Sequence, residues 1–140
     1  MPGKAMMRMI SATHEFWYRL SGGWIGGGFG RAPILLLTTT GRKSGRKRTT
    51  PLVYLPDGDN MVIIASNGGS ERHPEWWLNL RSEPKAEVQV GPHVKAVVAQ
   101  KAEGEERDRL WREVNGIYAG YDEYQRITKR EIPVVVLRPE

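Results

Sequence analysis

Apolar positions along the chain follow first a helical and then a strand-like period. Over residues 5–20, Met6, Met7, Ile10, Phe16, Trp17 and Leu20 recur among polar neighbours in a way that predicts an amphipathic helix. Ser21–Gly30 is too rich in glycine for regular structure and reads as a cover or linker. Beyond it, Ile34–Thr39, Thr49–Leu55 and Met61–Ala65 are short apolar and β-branched runs. Pro56-Asp-Gly-Asp59 is a tight-turn signal, so residues 49–65 predict a hairpin. His73-Pro-Glu75 opens a short helix with proline in its first turn; Trp76, Trp77 and Leu80 share a face, and Pro84 stops it. A second hairpin is expected from Glu87–Val90 and Val94–Ala99 around the Gly91-Pro92 turn. Glu105–Val114 is a charged helix with Leu110, Trp111 and Val114 on one side, Tyr121–Arg130 a shorter helical piece, and Ile132–Leu137 a final buried strand. About six mostly antiparallel strands with inserted helices and no βαβ rhythm predict a mainly β (α+β) fold, a small barrel in a single domain. Residues 1–31 form the N-terminal helix and glycine-rich segment, and 32–140 the barrel.

Composition narrows the chemistry. The chain has 140 residues and no cysteine, which removes disulfides, thiolate metal sites and a cysteine nucleophile. Charge-free runs reach only about eleven residues, against the roughly 18–20 of a membrane span. The opening Met-Pro-Gly-Lys-Ala-Met-Met-Arg has no unbroken apolar stretch behind its cation, so no signal peptide is expected and the cytoplasm is the default compartment. The net charge of +5 is local. Arg42, Lys43, Arg46, Lys47 and Arg48 stand together without an anion, and the rest of the chain is neutral, so the expected partner is a local anion.

That cluster lies in Thr38-Thr-Thr-Gly-Arg-Lys-Ser-Gly-Arg-Lys-Arg-Thr-Thr-Pro51, where a strand runs into a Gly-x-x-x-Gly turn and a second strand leaves it. Glycines allow backbone N–H groups to face an anion, and Lys and Arg add charge-assisted bonds to phosphate or carboxylate. A solvated basic loop and a nucleic-acid patch stay open beside this reading. The absence of interleaved aromatics weighs against the second. No Walker loop or dinucleotide fingerprint is present, His14, His73 and His93 are too scattered for a metal site or triad, and no serine sits in a nucleophile elbow. Any chemistry is therefore expected to be carried by a bound cofactor. Ala65-Ser-Asn-Gly-Gly69 ends a strand in a bend with amides and a hydroxyl, suited to the polar edge of a heterocycle or to an ordinary turn. Trp76 and Trp77 diverge by about 100° on a helix, one expected in the core and the other free to line a cavity. Tyr118, Tyr121 and Tyr124, spaced by three, form either an aromatic wall on one side of a helical turn or plain core.

Taken in order, these pieces resemble the deazaflavin-dependent nitroreductase family, split β-barrel oxidoreductases that use coenzyme F420. The carriers are Leu36-Leu-Thr-Thr-Thr-Gly-Arg-Lys-Ser-Gly45, Arg48 with Pro51-Leu52, Ala65-Ser-Asn-Gly-Gly69, Pro74-Glu-Trp-Trp-Leu-Asn-Leu80, the three tyrosines and Ile132-Pro-Val-Val-Val136. The resemblance implies a split β-barrel in which Arg42, Lys43, Ser44, Arg48, Thr49, Thr50 and Pro51 cradle the cofactor's phosphate and acidic tail. It places Ile64, Ala65, Ser66 and Asn67, with Glu75, Trp76, Trp77, Leu78 and Asn79, around the deazaflavin ring. Asn67 stands where some members carry lysine. Tyr121 comes near the ring, and Tyr118 and Tyr124 shape the acceptor pocket. Ser66, Tyr121, Tyr124 and Tyr118 are thus the implied catalytic set, with no metal. The implied activity is hydride transfer from the reduced cofactor to a small planar hydrophobic acceptor such as a quinone, an enone or a nitroaromatic. F420 carries a phosphodiester and several carboxylates where FMN carries one phosphate, and five clustered cations suit the former. The rival expectations are a barrel holding FMN, heme or another ligand, a non-catalytic carrier of cofactor or lipid, and a basic nucleic-acid binder. A monomer or homodimer without a transmembrane segment is expected, cytoplasmic, with room for peripheral contact at the membrane's inner face.

Overall fold

The computed structural model describes residues 33–118 and 120–140. The helix expected over 5–20 and the linker at 21–30 lie outside the described residues. Among the described residues there are seven strands: β1 Ile34–Thr40, β2 Lys47–Val53, β3 Leu55–Asp57, β4 Asn60–Ile64, β5 Lys85–Val90, β6 His93–Lys101 and β7 Val134–Pro139. They join in one antiparallel sheet of order β2-β1-β5-β6-β7-β4-β3. Three helices, α1 Glu75–Ser82, α2 Gly104–Ile117 and α3 Tyr121–Ile127, and a 3-10 turn at Asn67–Gly69 complete the described fold.

The sheet curls because of one residue. β2 and β3 stand at opposite edges of the order, yet only Tyr54 separates them in sequence. Flat, the two edges would lie roughly 29 Å apart at about 4.8 Å per strand, far beyond the reach of one residue. The sheet therefore rolls until its edges meet, and the Tyr54 N–H, donating to the Pro33 carbonyl at 3.1 Å, extends the β1–β2 ladder right up to the corner. This corrects the expected 49–65 hairpin. Residues 47–53 pair with β1, and only Leu55–Asp57 pairs back onto Asn60–Met61-Val62. Period-two patterning records which face a residue takes, not which strand it pairs with, so the change of partner was invisible. Counted as one bent strand, β2 and β3 restore the expected six.

Alternation then sorts the side chains. Leu35, Leu37, Met61, Ile63, Val88, Val97, Val135 and Leu137 fill the barrel interior. Val62, Ile64, Val134 and Val136 face the other way, beneath Leu110 and Val114 of α2. β4 and β7 are thus buried on both faces, which is why they read as unbroken apolar runs. Trp76, Trp77 and Leu80 of α1 join the interior cluster, so this helix stoppers one end of the barrel. Both indoles are buried, 7% and 6% exposed, and both join the interior cluster, where the sequence led us to expect only one in the core. Lying across an apolar opening, α1 buries residues 100° apart on a single surface.

Direction places the site. β1, β4 and β6 run the same way, so the loop after β1 and the bend after β4 emerge at the same end, the one that α1 closes. Among the described residues no helix is long and apolar enough to cross a membrane.

Candidate functional site

The loop after β1 is a compact turn. Gly41 and Arg46 close it through Gly41 N–H to Arg46 O at 2.7 Å and Gly45 N–H to Gly41 O at 2.8 Å. A side chain at Gly41 would meet Ser44 Oγ at 2.8 Å and Arg46 O at 3.1 Å, and Gly45 has φ +72, so both positions require glycine. Ser44 Oγ accepts from the Arg46 N–H at 3.1 Å. Arg42 turns back onto α1: its Nη1 donates to Glu75 Oε2 at 2.6 Å and to Asn79 Oδ1 at 3.0 Å, and its backbone N–H donates to the same Oδ1 at 3.1 Å. Asn79 is buried and donates through Nδ2 to Thr39 Oγ1 at 3.3 Å. The bonded guanidinium of Arg42 holds the Glu75 carboxyl below the usual carboxylate range, with Lys43 and Arg72 adding to it. Among the described residues, Lys43, Arg46, Lys47 and Arg48 have no carboxylate within 4 Å. One cation thus anchors the loop, and four remain for an anion.

Asn79 is a test of that anchor. Asn79→Ala is expected to lower unfolding free energy by about 1–3 kcal/mol, the range for leaving buried polar partners unsatisfied. Urea unfolding reads it directly.

The bend after β4 stands on the same end. Ile64 and Ala65 are buried, on opposite faces of their strand. Ser66 is half-buried, and its hydroxyl has no hydrogen-bond partner among the described residues. Asn67 spends its amide locally, donating to Arg72 O at 3.0 Å. Gly69 packs under α3: a Cβ there would lie 3.3 Å from Tyr124 Cα. The same contact brings the tyrosines to the bend. They do not share one helical face as expected, because α2 ends at Ile117 and α3 starts at Tyr121. They meet instead as a stack: Tyr118 and Tyr121 edge to face at 6.4 Å, Tyr121 and Tyr124 at 6.2 Å. Tyr118 is buried, and its hydroxyl donates to the Tyr54 carbonyl at 3.3 Å. Burial, helped by Tyr118 and Tyr124, pushes the Tyr121 phenol up to about 12; burial also raises Tyr118.

The remaining implied residues separate by role. Arg48 and Thr50 pair with Thr39 and Leu37 on the inner face of β2; Thr49 and Pro51 lie on the outer face, with Thr49 Oγ1 2.8 Å from Thr38 Oγ1. Lys43 and Ser44 are exposed at the loop tip, and Leu78 is half-buried on α1. One residue that sequence reasoning passed over ties the bend down. Arg130 reaches Ala65, Ser66 and Ser70 carbonyls and His73, and no spacing rule marks it.

A curled antiparallel barrel with a cationic glycine turn and a hydroxyl-bearing bend at one end defines a split-barrel protein. A family model described as F420H(2)-dependent quinone reductase matches residues 10–139. An F420H(2)-dependent quinone reductase of Mycobacterium tuberculosis is 45% identical over 128 residues, covering 89% of this chain and 86% of that protein. A solved F420-H2 dependent reductase superposes with TM-score 0.70 at 41% identity, covering 76% of this chain and 94% of the other. A structure described as a domain-swapped dimer has TM-score 0.70 at 37% identity, covering 89% and 98%. The chain belongs to the F420H(2)-dependent quinone reductase family. It is an F420H2-dependent oxidoreductase of split-barrel fold, with coenzyme F420 as its cofactor. The residues present fit that group, since four uncompensated cations at one turn match a phosphodiester and several carboxylates.

Proposed function

We propose that this chain reduces quinone-type planar acceptors, holding the acidic tail of F420 on Lys43, Arg46, Lys47 and Arg48 and the ring at the Ser66 bend beneath the tyrosine stack. The observation that carries this is the shared barrel end: the uncompensated cations and the free Ser66 hydroxyl emerge together. Reduced F420 supplies a hydride when bound. Hydride plus one proton converts a quinone to its hydroquinone, so the protein must orient the acceptor, stabilise its developing oxyanion and provide the proton. Ser66 Oγ, without another partner among the described residues, donates to that oxyanion. Tyr121 holds its proton at Oη throughout the physiological range, because burial disfavours the phenolate. Tyr124 and Tyr118 shape the acceptor pocket. The aromatic wall suits flat apolar acceptors, and we place the protein in the cytoplasm with peripheral access to membrane quinones.

Titration of the protein with F420 and with FMN tests the binding mode. F420 is expected to bind at least about tenfold tighter, a difference of only about 1.4 kcal/mol; equal affinities in one buffer refute the tail assignment. Lys43→Ala or Arg48→Ala is expected to weaken F420 binding by about 1–3 kcal/mol. The melting temperature should hardly change, because exposed loop cations contribute little to stability. If both bind like the parent while Lys47→Ala does not, the wrong cations have been assigned.

A further inference from the structure

We propose that Arg130 is a positioning residue for the reaction: its guanidinium clasps the bend after β4 and aims the donors of Ser66 and Asn67 at the bound ring. The inference rests on the reading that this bend meets the ring.

The clasp is dense. Arg130 Nη2 donates to Ala65 O at 3.1 Å and to Ser66 O at 2.8 Å, Nε donates to Ser70 O at 2.8 Å, and Nη1 lies 3.2 Å from His73 Nδ1. These acceptors stand 57 to 65 residues from Arg130. The bend has hydrogen bonds of its own, Gly69 N–H to Ser66 O at 2.9 Å and Ser70 N–H to Asn67 O at 3.1 Å, but its backbone is left-handed. Asn67, Gly68 and Gly69 have φ of 47, 64 and 83 in succession, and a left-handed asparagine persists only where its surroundings hold it. A planar guanidinium, with its donors at fixed angles, can bind several carbonyls at once and set their directions; an ammonium cannot.

Peptide planarity converts that grip into function. In a trans peptide the carbonyl and the following N–H point in opposite directions. With the Ala65 and Ser66 carbonyls held toward Arg130, the N–H groups of Ser66 and Asn67 point away from it. Among the described residues neither N–H has a hydrogen-bond acceptor. Two parallel amides beside the free Ser66 hydroxyl form a three-donor array, suited to the carbonyl-rich edge of a deazaflavin or to an oxyanion.

His73 adds a pH signature. To accept from Arg130, Nδ1 must be unprotonated. Arg130 itself, Arg81 on α1 and Lys101 at the end of β6 face the imidazole. With burial foremost they hold it below the ordinary histidine range, while Glu71 is the carboxylate nearest in effect to Arg130. The clasp is therefore whole at neutral pH. It loosens only as pH falls through the depressed His73 value, which lies below the ordinary histidine value of about 6.5, where a protonated His73 opposes Arg130. The sign follows from linkage: the unfolded chain binds the proton more readily, so stability rises with pH through that window.

Three full-chain variants, Arg130→Lys, His73→Gln and Ser66→Ala, test this by amide deuterium exchange and by fluorescence titration of oxidised F420 at pH 7.5 and 5.5. Arg130→Lys is expected to speed exchange within 65–73 without spreading to the barrel strands, and to weaken F420 binding about 10- to 100-fold, the scale of a misplaced site. Exchange in the bend equal to the parent's, exchange accelerated throughout the sheet, or unchanged F420 affinity would overturn the proposal. Should Arg130→Lys not fold, His73→Gln decides. Any fall in F420 affinity on acidification should be smaller in His73→Gln than in the parent; an equal fall in both rejects the clasp. A Ser66→Ala protein that binds and turns over like the parent would refute the ring reading at Ser66. The exchange result for Arg130→Lys would still stand or fall separately.

Discussion

Tyr121→Phe is expected to slow quinone reduction roughly 10²-fold, the low end for a positioned proton donor, with no measurable change in melting temperature. The ring stays, and with it the edge-to-face contacts to Tyr118 and Tyr124 at 6.4 and 6.2 Å; only the hydroxyl goes. Its proton is secure because burial pushes the phenol up to about 12. A raised phenol pKa contributes stability that is complete below about pH 10, the ordinary tyrosine value, and is lost as pH rises through about 12. The alkaline limb of turnover should accordingly lie above pH 10. Stopped-flow oxidation of reduced F420 against several quinones measures both. Tyr124→Phe should alter acceptor preference more than rate. If Tyr121→Phe retains full activity with every acceptor, solvent supplies the proton.

Trp77→Ala is expected to lower unfolding free energy by ~3–5 kcal/mol, as for other large buried aromatics. The indole sits in the barrel interior with Trp76, Leu80, Leu35 and Ile63, so its loss opens a cavity beneath α1. The same helix carries Glu75 and Asn79, which hold Arg42 and the cationic loop. F420 affinity should fall as well, as a consequence of the loosened helix. Chemical denaturation and F420 titration on one preparation separate the roles. A small stability loss with abolished binding would make Trp77 a wall of the ring site instead of core.

The sequence was informative wherever one residue type carries one physical consequence. Alternation and turn chemistry located the strands, and Pro74 and Pro84 bracketed α1. The net positive charge was traceable to one loop by counting alone. The motif order implied the split barrel and coenzyme F420, both of which hold for the family to which the chain belongs. Individual site residues were less legible, because spacing does not report how a charge is used. Arg42 and Lys43 are neighbours of like charge, yet the first is bound to α1 through Glu75 and Asn79 and the second is exposed.

By itself, then, the sequence determined the elements and the cation cluster, since these follow from local periodicity and composition, whereas the class of cofactor came through the resemblance of the ordered motifs to a family. Tertiary structure decided the rest. Closure of the sheet at Tyr54 gave β2 and β3 different partners, α1 buried both tryptophans, and a helix break turned three tyrosines into a stack. Arg130 met Ser66 across 64 residues. Such contacts depend on how strands curl and which directions they run, and a chain's local pattern carries no record of either.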